Sequence, residues 1–330
     1  MRDVARRAGV SQPTVSRVLN GVNTAPISDE TRERVLLAVE ELNYRPNLLA
    51  RSLRTQQTQM IALLIADISN SFYHPIVRAV QDVAREHNFD VLIANSDHLY
   101  ENELHFLEAV SRRPVDGVIM APYHLTADDL TRFMTQTNTP VTVLGQHVEH
   151  PGVDMVHAND NRAVYEATRW LIDQRGHTRL GFVGVPSDLP PGPRRFGGFA
   201  RALEEAGLSV QPQDVVESDF TLEGGMRAAR QLIQGGDMPS VLVVINDLMA
   251  IGMILELQEA GYRVPEDVAV LGYDNIPEAT IVRPALTTIA QDPRDIGEKL
   301  ITALFDRIEN PDLPRRNYES SYRLIIRDSA

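Results

Sequence analysis

The sequence predicts an α/β protein in two unequal parts: an amino-terminal three-helix module and a larger body of two doubly wound parallel sheets. Three observations carry that prediction. In residues 1 to 45, apolar side chains recur at helical spacing between good capping residues. From Met60 onward, the apolar runs MIALLIA, VLIA, GVIMA, VTVL, LGFVG, VLVVI and VAVLGY alternate with amphipathic stretches such as PIVRAVQDVAREH and ATRWLIDQRG. Charge divides the chain at the same place. Residues 1 to 60 hold nine arginines and six acids, a net of +3, so the total of −13 leaves −16 for residues 61 to 330. A basic end on an acidic body suits a polyanionic partner held by that end alone, although a solvated arginine-bearing helix face gives the same count.

Composition sets outer bounds. A chain of 330 residues, 43% hydrophobic, can build two or three domains with real cores. No apolar run approaches the ~18 residues that span a bilayer, and the polar start lacks the apolar segment of a secretory signal, so a cytoplasmic protein is expected. The absence of cysteine excludes disulfides, thiolate nucleophiles and cysteine-bound metals.

Three helices are predicted in the module. Val4, Ala5 and Ala8 share a face, and Gly9 ends the first helix as a turn residue free of the left-handed penalty. Ser11 caps a second helix of about Gln12 to Asn20, where Pro13 is tolerated in the first turn and Val15, Val18 and Leu19 form the buried stripe. Ser28 caps a third, with Val35, Val39 and Leu42 inward. Gln12, Pro13, Ser16, Arg17 and Asn20 are then expected to point away from the core. Arginine grips guanine O6 and N7 bidentately, glutamine reads adenine, and Thr14 or Ser16 can bond phosphate oxygens. The short turn at Gly9 followed by a polar-faced helix matches helix-turn-helix geometry and points to double-stranded DNA as the partner; the plain alternative is a helical bundle with a polar face.

These residues carry a resemblance. DVARRAGVSQPTVSRVLNG, with TRERVLLAVEELNYRPN and LARSLR after it, resembles the start of the lactose/galactose-repressor (LacI/GalR) family of transcription factors. The resemblance implies that Gln12, Pro13 and Arg17 read bases and that Thr14, Ser16 and Asn20 hold phosphates. Two features depart from the pattern: Met1-Arg2-Asp3 stands where the family places a Ser/Thr cap and an isoleucine, and the loop from Gly21 to Ile27 is longer than usual. Residues 45 to 58, RPNLLARSLRTQQT, read as a linker in which Asn47 to Arg54 could form a short helix with Leu49 and Leu53 on one face and Arg51 and Arg54 beside it. That suits an apolar wedge in the minor groove with phosphates on either side. In the resembling family this is the hinge helix, with Leu53 as the wedge; alone it is too short to nucleate.

The body shares the resemblance through DISNSFY, RPVDGVI, RGHTRLGFVG, VINDLMAIG, VPEDVAVLGYDN and PALTTIAQD, which look like the two-lobed periplasmic-binding-protein fold. Ligands of doubly wound sheets sit at the carboxyl ends of the strands, so an interlobe cleft is expected. Asn246 follows VLVVI, Asp274 follows VAVLGY, and Arg195 opens the helix after LGFVG. An aspartate after a strand is often only a helix cap, but these groups with the ring of Phe220 would offer sugar hydroxyls a fork and a plate. The family's effector contacts fall on Arg195, Phe220, Asn246 and Asp274, and Ser69, Asn70, Phe72 and Tyr73 resemble the opposite wall. Leu189 and Pro191 stand where purine-responsive relatives place an arginine and a threonine, and Gly145 where many sugar-responsive ones place an aspartate; Gln146 or His147 could supply the missing contact. A sugar or sugar derivative is therefore expected, with a nucleoside as the alternative.

The implied organisation is a DNA-binding domain over 1–45, a hinge over 46–59, a first lobe from 60–158 and 291–318, and a second from 159–290 and 319–330. His147, Glu149, His150 and His157 lie close in sequence, but their spacing is not that of a helical zinc motif, and no metal or other cofactor is expected. Trp170 is expected in the core. There is no G-x-S-x-G, phosphate loop or G-x-G-x-x-G, and the only lysine is Lys299, so no enzyme is expected. A freestanding solute receptor would share the body but have no use for residues 1 to 58. No leucine heptads follow YRLIIRDSA, so a homodimer on a pseudo-palindromic operator is expected rather than a tetramer.

Overall fold

A computed structural model describes residues 1–20, 27–44 and 57–330, without the side chain of Asn20. The chain divides into two units, Met1–Thr58 and Gln59–Ala330.

The first unit contains α1 (Arg2–Ala8), α2 (Gln12–Asn20) and α3 (Asp29–Glu41). Gly9 ends α1 in the left-handed conformation, at φ 66°. The hydroxyls of Ser11 and Ser28 accept from the backbone N–H groups of Thr14 and Thr31, each at 3.3 Å. Val4, Ala5, Ala8, Val15, Val18, Val35 and Ala38 form the core. Two expectations need correction. Ser16 is buried, because its place beside Val15 turns it toward the packed side of a short helix held between two others. Leu42 is exposed: α3 ends at Glu41, so Leu42 leaves the helical stripe and Ala38 fills the interior instead.

The second unit holds two six-stranded sheets. In the first lie β1 (Met60–Ile65), β2 (Asp90–Asn95), β3 (Gly117–Met120), β4 (Val141–Leu144), β5 (Asp154–Ala158) and β11 (Asn317–Ser320), in the order β11-β5-β4-β3-β1-β2. In the second lie β6 (Leu180–Gly184), β7 (Val215–Glu217), β8 (Val241–Val244), β9 (Ala269–Asp274), β10 (Thr287–Gln291) and β12 (Tyr322–Ile325), in the order β12-β10-β9-β8-β6-β7. All pairings are parallel except β10 with β12. Helices cover both faces of the sheets, which is why the central strands β3, β8 and β9 are buried throughout.

The chain passes between the sheets at three places. After β5 it enters α7 (Asp160–Asp173), which packs on α8 (Pro191–Glu205) beside the second sheet. After β10 it returns through α11 (Pro293–Glu309), which packs on α4 (Tyr73–Glu86) beside the first. Between β11 and β12 it crosses again. Trp170 is partly buried against the second lobe's core, with the Arg175 guanidinium 5.1 Å from its ring centre. Among the described residues, no helix is long and apolar enough to cross a membrane.

Close helix packing in the second lobe depends on glycine. In α9 (Leu222–Gly235), a Cβ on Gly225 would lie 2.0 Å from the carbonyl oxygen of Met249 in α10 (Asp247–Glu259), and one on Gly252 would lie 2.0 Å from that of Leu222. Backbone cannot yield as a side-chain tip can. Gly225→Ala is therefore expected to destabilise the protein by about 1–3 kcal/mol or more, read as a lower urea midpoint at unchanged slope. An unchanged midpoint would show that the two helices can separate freely.

Candidate functional site

The carboxyl ends of both sheets converge on a cavity of about 80 Å³. Phe72 and Tyr73 reach it from the start of α4, Tyr123 from the loop after β3, Gly145 and His147 from the loop after β4, and His157 from the end of β5. Asp160 lies in the first turn of α7, Pro191, Arg194 and Arg195 lie in α8, and Gln291 ends β10. Parallel-sheet topology brings these strand and helix ends together from distant parts of the sequence.

Arg195 is the electrostatic centre. It is 8% exposed, its guanidinium sits 3.6 Å from the centre of the Tyr273 ring, Nη1 donates to the carbonyl of Ile245, and Nη2 is 3.7 Å from Asp160. Burial works against its charge, but Asp160, Tyr273 and Asp274 outweigh that and hold its pKa above the ordinary value. Asp160 also accepts from Arg194 Nη2 at 3.0 Å and from the Tyr273 hydroxyl at 2.8 Å. Burial alone would raise its pKa; Arg195, then Arg194 and the Tyr273 hydroxyl, keep it below the usual carboxylate range.

Asp274 sits one hydrogen bond behind the wall. Its Oδ1 accepts from the Gln291 side chain at 2.9 Å, and its backbone adopts φ 115°, a costly conformation for a residue with a Cβ. Burial pushes its pKa up to about 7, against the pull of Arg195. Among the described residues, two buried nitrogens at the site, Arg195 Nε and His147 Nε2, have no hydrogen-bond partner. Burial, and next to it the charge of Arg194, lowers the His147 pKa to about 4, so its ring is neutral.

Of the residues expected here, Phe72, Tyr73 and Arg195 line the cavity and Asp274 backs it. The others have different surroundings. Phe220 is stacked on His98, with ring centres 4.7 Å apart and 16° between planes, so the face expected to serve as a sugar plate is already covered. Asn246 caps α10 by accepting from Met249 N and donates to the Phe220 carbonyl. Gln146 donates to the Ala158 carbonyl and bonds the His157 ring. The Ser69 hydroxyl donates to Asp67, and Asn70 accepts from Phe72 N. Leu189 packs into the second lobe's core, whereas Pro191 and Gly145 line the cavity.

Sequence reasoning missed Tyr123, Asp160, Arg194 and Gln291. Arg194 could have been found as the neighbour of Arg195, and Gln291 as the polar end of the TTIAQ run. Contacts that hold the lobes against each other beside the cavity include the His98–Phe220 stack, the edge of Tyr123 on Phe220 with ring centres 5.9 Å apart, and a hydrogen bond of 2.6 Å from the Ser71 hydroxyl to Glu278. Of the histidines near residue 150, His157 bonds the Gln146 side chain. His150 accepts from Gly152 N, and among the described residues no three His, Asp or Glu side chains are grouped to hold a metal.

In the first unit, Gln12 and Pro13 are exposed, Thr14 is half-buried with its hydroxyl 2.9 Å from that of Ser11, and Arg17 is half-buried, its Nε without a partner among the described residues. The Asn20 side chain, the loop 21–26, and Arg51, Leu53 and the rest of the expected hinge helix lie outside the described residues.

Residues 1–47 match the family described as bacterial regulatory proteins, lacI family, and residues 171–330 match the periplasmic binding protein-like domain. The HTH-type transcriptional repressor PurR of Photobacterium profundum is 32% identical over 329 residues, spanning 100% of this chain and 98% of that one. The chain belongs to the LacI family. It is accordingly a DNA-binding transcriptional regulator, with a helix-turn-helix domain and a periplasmic-binding-protein-like body. Among solved structures of LacI-type regulators, the lac repressor dimer bound to operator and the anti-inducer ONPF is similar at TM-score 0.83 and 26% identity, covering 99% of this chain and 97% of that one. The transcriptional regulator CelR–cellobiose complex is similar at TM-score 0.76 and 29% identity, covering 99% and 98%.

Proposed function

We propose that the protein is a cytoplasmic repressor that binds a pseudo-palindromic operator as a homodimer and is controlled by a sugar or sugar derivative in the interlobe cleft. The observation that carries the effector class is the cavity itself. It combines the aromatic rings of Phe72, Tyr73 and Tyr123 with forked donors and acceptors on Arg195, Asp160 and the Gln291–Asp274 pair, a set matched to hydroxyl groups on a small apolar ring. The cellobiose complex of CelR and the operator-bound lac repressor dimer support the reading by likeness. The same rings could stack on a nucleobase, which keeps a nucleoside as the second reading.

In this mechanism residues 60–158 with 291–318, and 159–290 with 319–330, act as the two lobes, with the bounds moved so that Gln291 stays with β10 in the second lobe and β11 carries the first to Ser320, and Leu53 between Arg51 and Arg54 serves as a minor-groove wedge. The ligand would act through the degree of lobe closure, to which the His98–Phe220 and Ser71–Glu278 contacts belong. A coupling of about 1–3 kcal/mol suffices for a 5- to 150-fold change in operator affinity. Thermal-shift screening of neutral sugars and nucleosides tests the effector class, since a ligand at 100 times its Kd adds about 2.7 kcal/mol of stability. Stabilisation by nucleosides alone would overturn the sugar reading.

For the operator, Gln12, Pro13 and Arg17 are proposed as base readers, with Thr14, Ser16 and Asn20 toward phosphates; of these Ser16 is buried. Arg17→Ala is expected to weaken operator binding by about 1–3 kcal/mol and relax preference at one base pair per half-site. Equal losses on operator and random DNA, measured by fluorescence anisotropy, would count against direct readout.

A further inference from the structure

The cavity wall carries more positive charge than negative. Arg194 and Arg195 are adjacent, and Asp160, the only carboxylate among the described lining residues, is shared between them. Asp274, a second carboxylate behind the wall, already faces Gln291 and Arg195. Arg194 donates Nε and Nη2 to a single oxygen of Asp160, at 3.3 and 3.0 Å. A guanidinium has five donors, and these two bonds leave Nη1 uncommitted to that carboxylate. His147 lines the same cavity, and its buried Nε2 has no hydrogen-bond partner among the described residues. The Arg194 charge depresses the His147 pKa, which puts the two within electrostatic reach. A neutral hydroxyl could match the ring nitrogen, but it would leave the excess positive charge of this corner uncompensated while Asp274 is protonated. That is a poor way to fill a desolvated site.

We propose that the effector is an acidic sugar derivative, a hydroxylated ring or chain of monosaccharide size bearing a carboxylate or a phosphate, and that Arg194 and His147 hold its anionic group. This rests on the sugar reading above and specifies it. The hydroxyls remain with Arg195, Gln291 and Asp274, while Arg194 adds a charge-assisted contact that a neutral sugar cannot make. Asp160 keeps both arginines fixed in the wall, and while Asp274 is protonated one unit of positive charge remains for the ligand.

The test is calorimetric titration of the full-length protein with matched sets: several aldoses, each with its aldonate, uronate and sugar 6-phosphate, and adenosine with its monophosphate. The best acidic member of one set should bind about ten- to a hundredfold more tightly than its neutral parent. Which acid wins separates a carboxylate from a phosphate ligand. Arg194→Gln should remove most of that preference, and Arg194→Lys should retain part of it, since an ammonium keeps the charge without the fork. Melting curves of both variants report on folding independently.

A neutral parent binding as tightly as its acids overturns the proposal and leaves the sugar reading standing. A preference that survives in Arg194→Gln overturns it as well, because the anion then lies elsewhere. No binding by any sugar, acidic or neutral, removes the sugar reading itself.

Discussion

Asp154→Ala is expected to destabilise the protein by about 3–5 kcal/mol, because it leaves two arginines without their common acceptor in the interior of the first lobe. Asp154 is fully buried and Arg307 is 1% exposed. Oδ1 accepts from Arg307 Nη2 at 2.6 Å and from the backbone N–H of Arg316 at 2.8 Å, and Oδ2 accepts from Arg316 Nη2 at 2.7 Å. The network ties β5 to α11 and to the segment leading into β11. Burial alone would raise the Asp154 pKa, but the hydrogen bonds from Arg307 and then Arg316 hold it below the ordinary value. A carboxylate with a depressed folded pKa stabilises above its unfolded pKa of about 3.9, and that contribution is lost as pH falls through the folded value. The gap in urea midpoint between wild type and variant should therefore be full at pH 7 and narrow in acid. A gap that stays constant down to pH 2 would show that shape, not charge, holds the network together.

Asp274→Asn is expected to lower effector affinity by about 1–3 kcal/mol, or more if the ligand donates two hydroxyls to the carboxylate. The amide keeps one acceptor but turns a donor toward the site. Here the linkage has the opposite sign. The folded pKa is raised to about 7, chiefly by burial, so this group's contribution to stability is full below the unfolded value of about 3.9 and is lost as pH rises through about 7. The variant cannot ionise and should gain stability relative to wild type over that interval. Effector affinity of the wild type should rise with pH through about 7 if the ionised form accepts the hydroxyls, and stay flat in the variant. The helix-cap alternative is weakened by the hydrogen bond that Asp274 makes to Gln291, a side chain rather than a helix N–H. Titration with the sugar that binds best decides the matter: unchanged affinity in Asp274→Asn would remove this carboxylate from the site.

What could be read from sequence follows from how local each signal is. Gly9, Ser11 and Ser28 fix helix ends through their own backbone and side-chain geometry, so the three helices of the first unit were legible. Strands buried on both faces advertise themselves as apolar runs, and MIALLIA, GVIMA and VLVVI coincide with β1, β3 and β8. The segments DMVHA, VVE, TTIAQ, NYES and YRLI became β5, β7, β10, β11 and β12 without such runs, because polar residues interrupt them and a neighbouring strand supplies the order. The site divides the same way. Phe72, Tyr73, Arg195 and Asp274 stand beside recognisable strand or helix ends. Tyr123, Asp160 and Gln291 meet only through the sheet order, and nothing local to Phe220 shows that His98 lies on its face.

The three passages of the chain between the sheets have a consequence for biogenesis. The second lobe is an insertion in the first: Asp154 must find Arg307, 153 positions later, and α11 and β11 reach the first sheet only after most of the second lobe has been translated. At ribosomal speeds of roughly 5–20 residues per second, the half-built first sheet waits about ten to thirty seconds with the edge of β5 unpaired and the face of α4 uncovered. Such a species offers a strand edge and apolar surface to other chains, so the lobe that leaves the ribosome first is the one that depends longest on chaperones. Clipping the chain just before Pro293 would therefore strip the earliest-made sheet of its last strand and its packing helix.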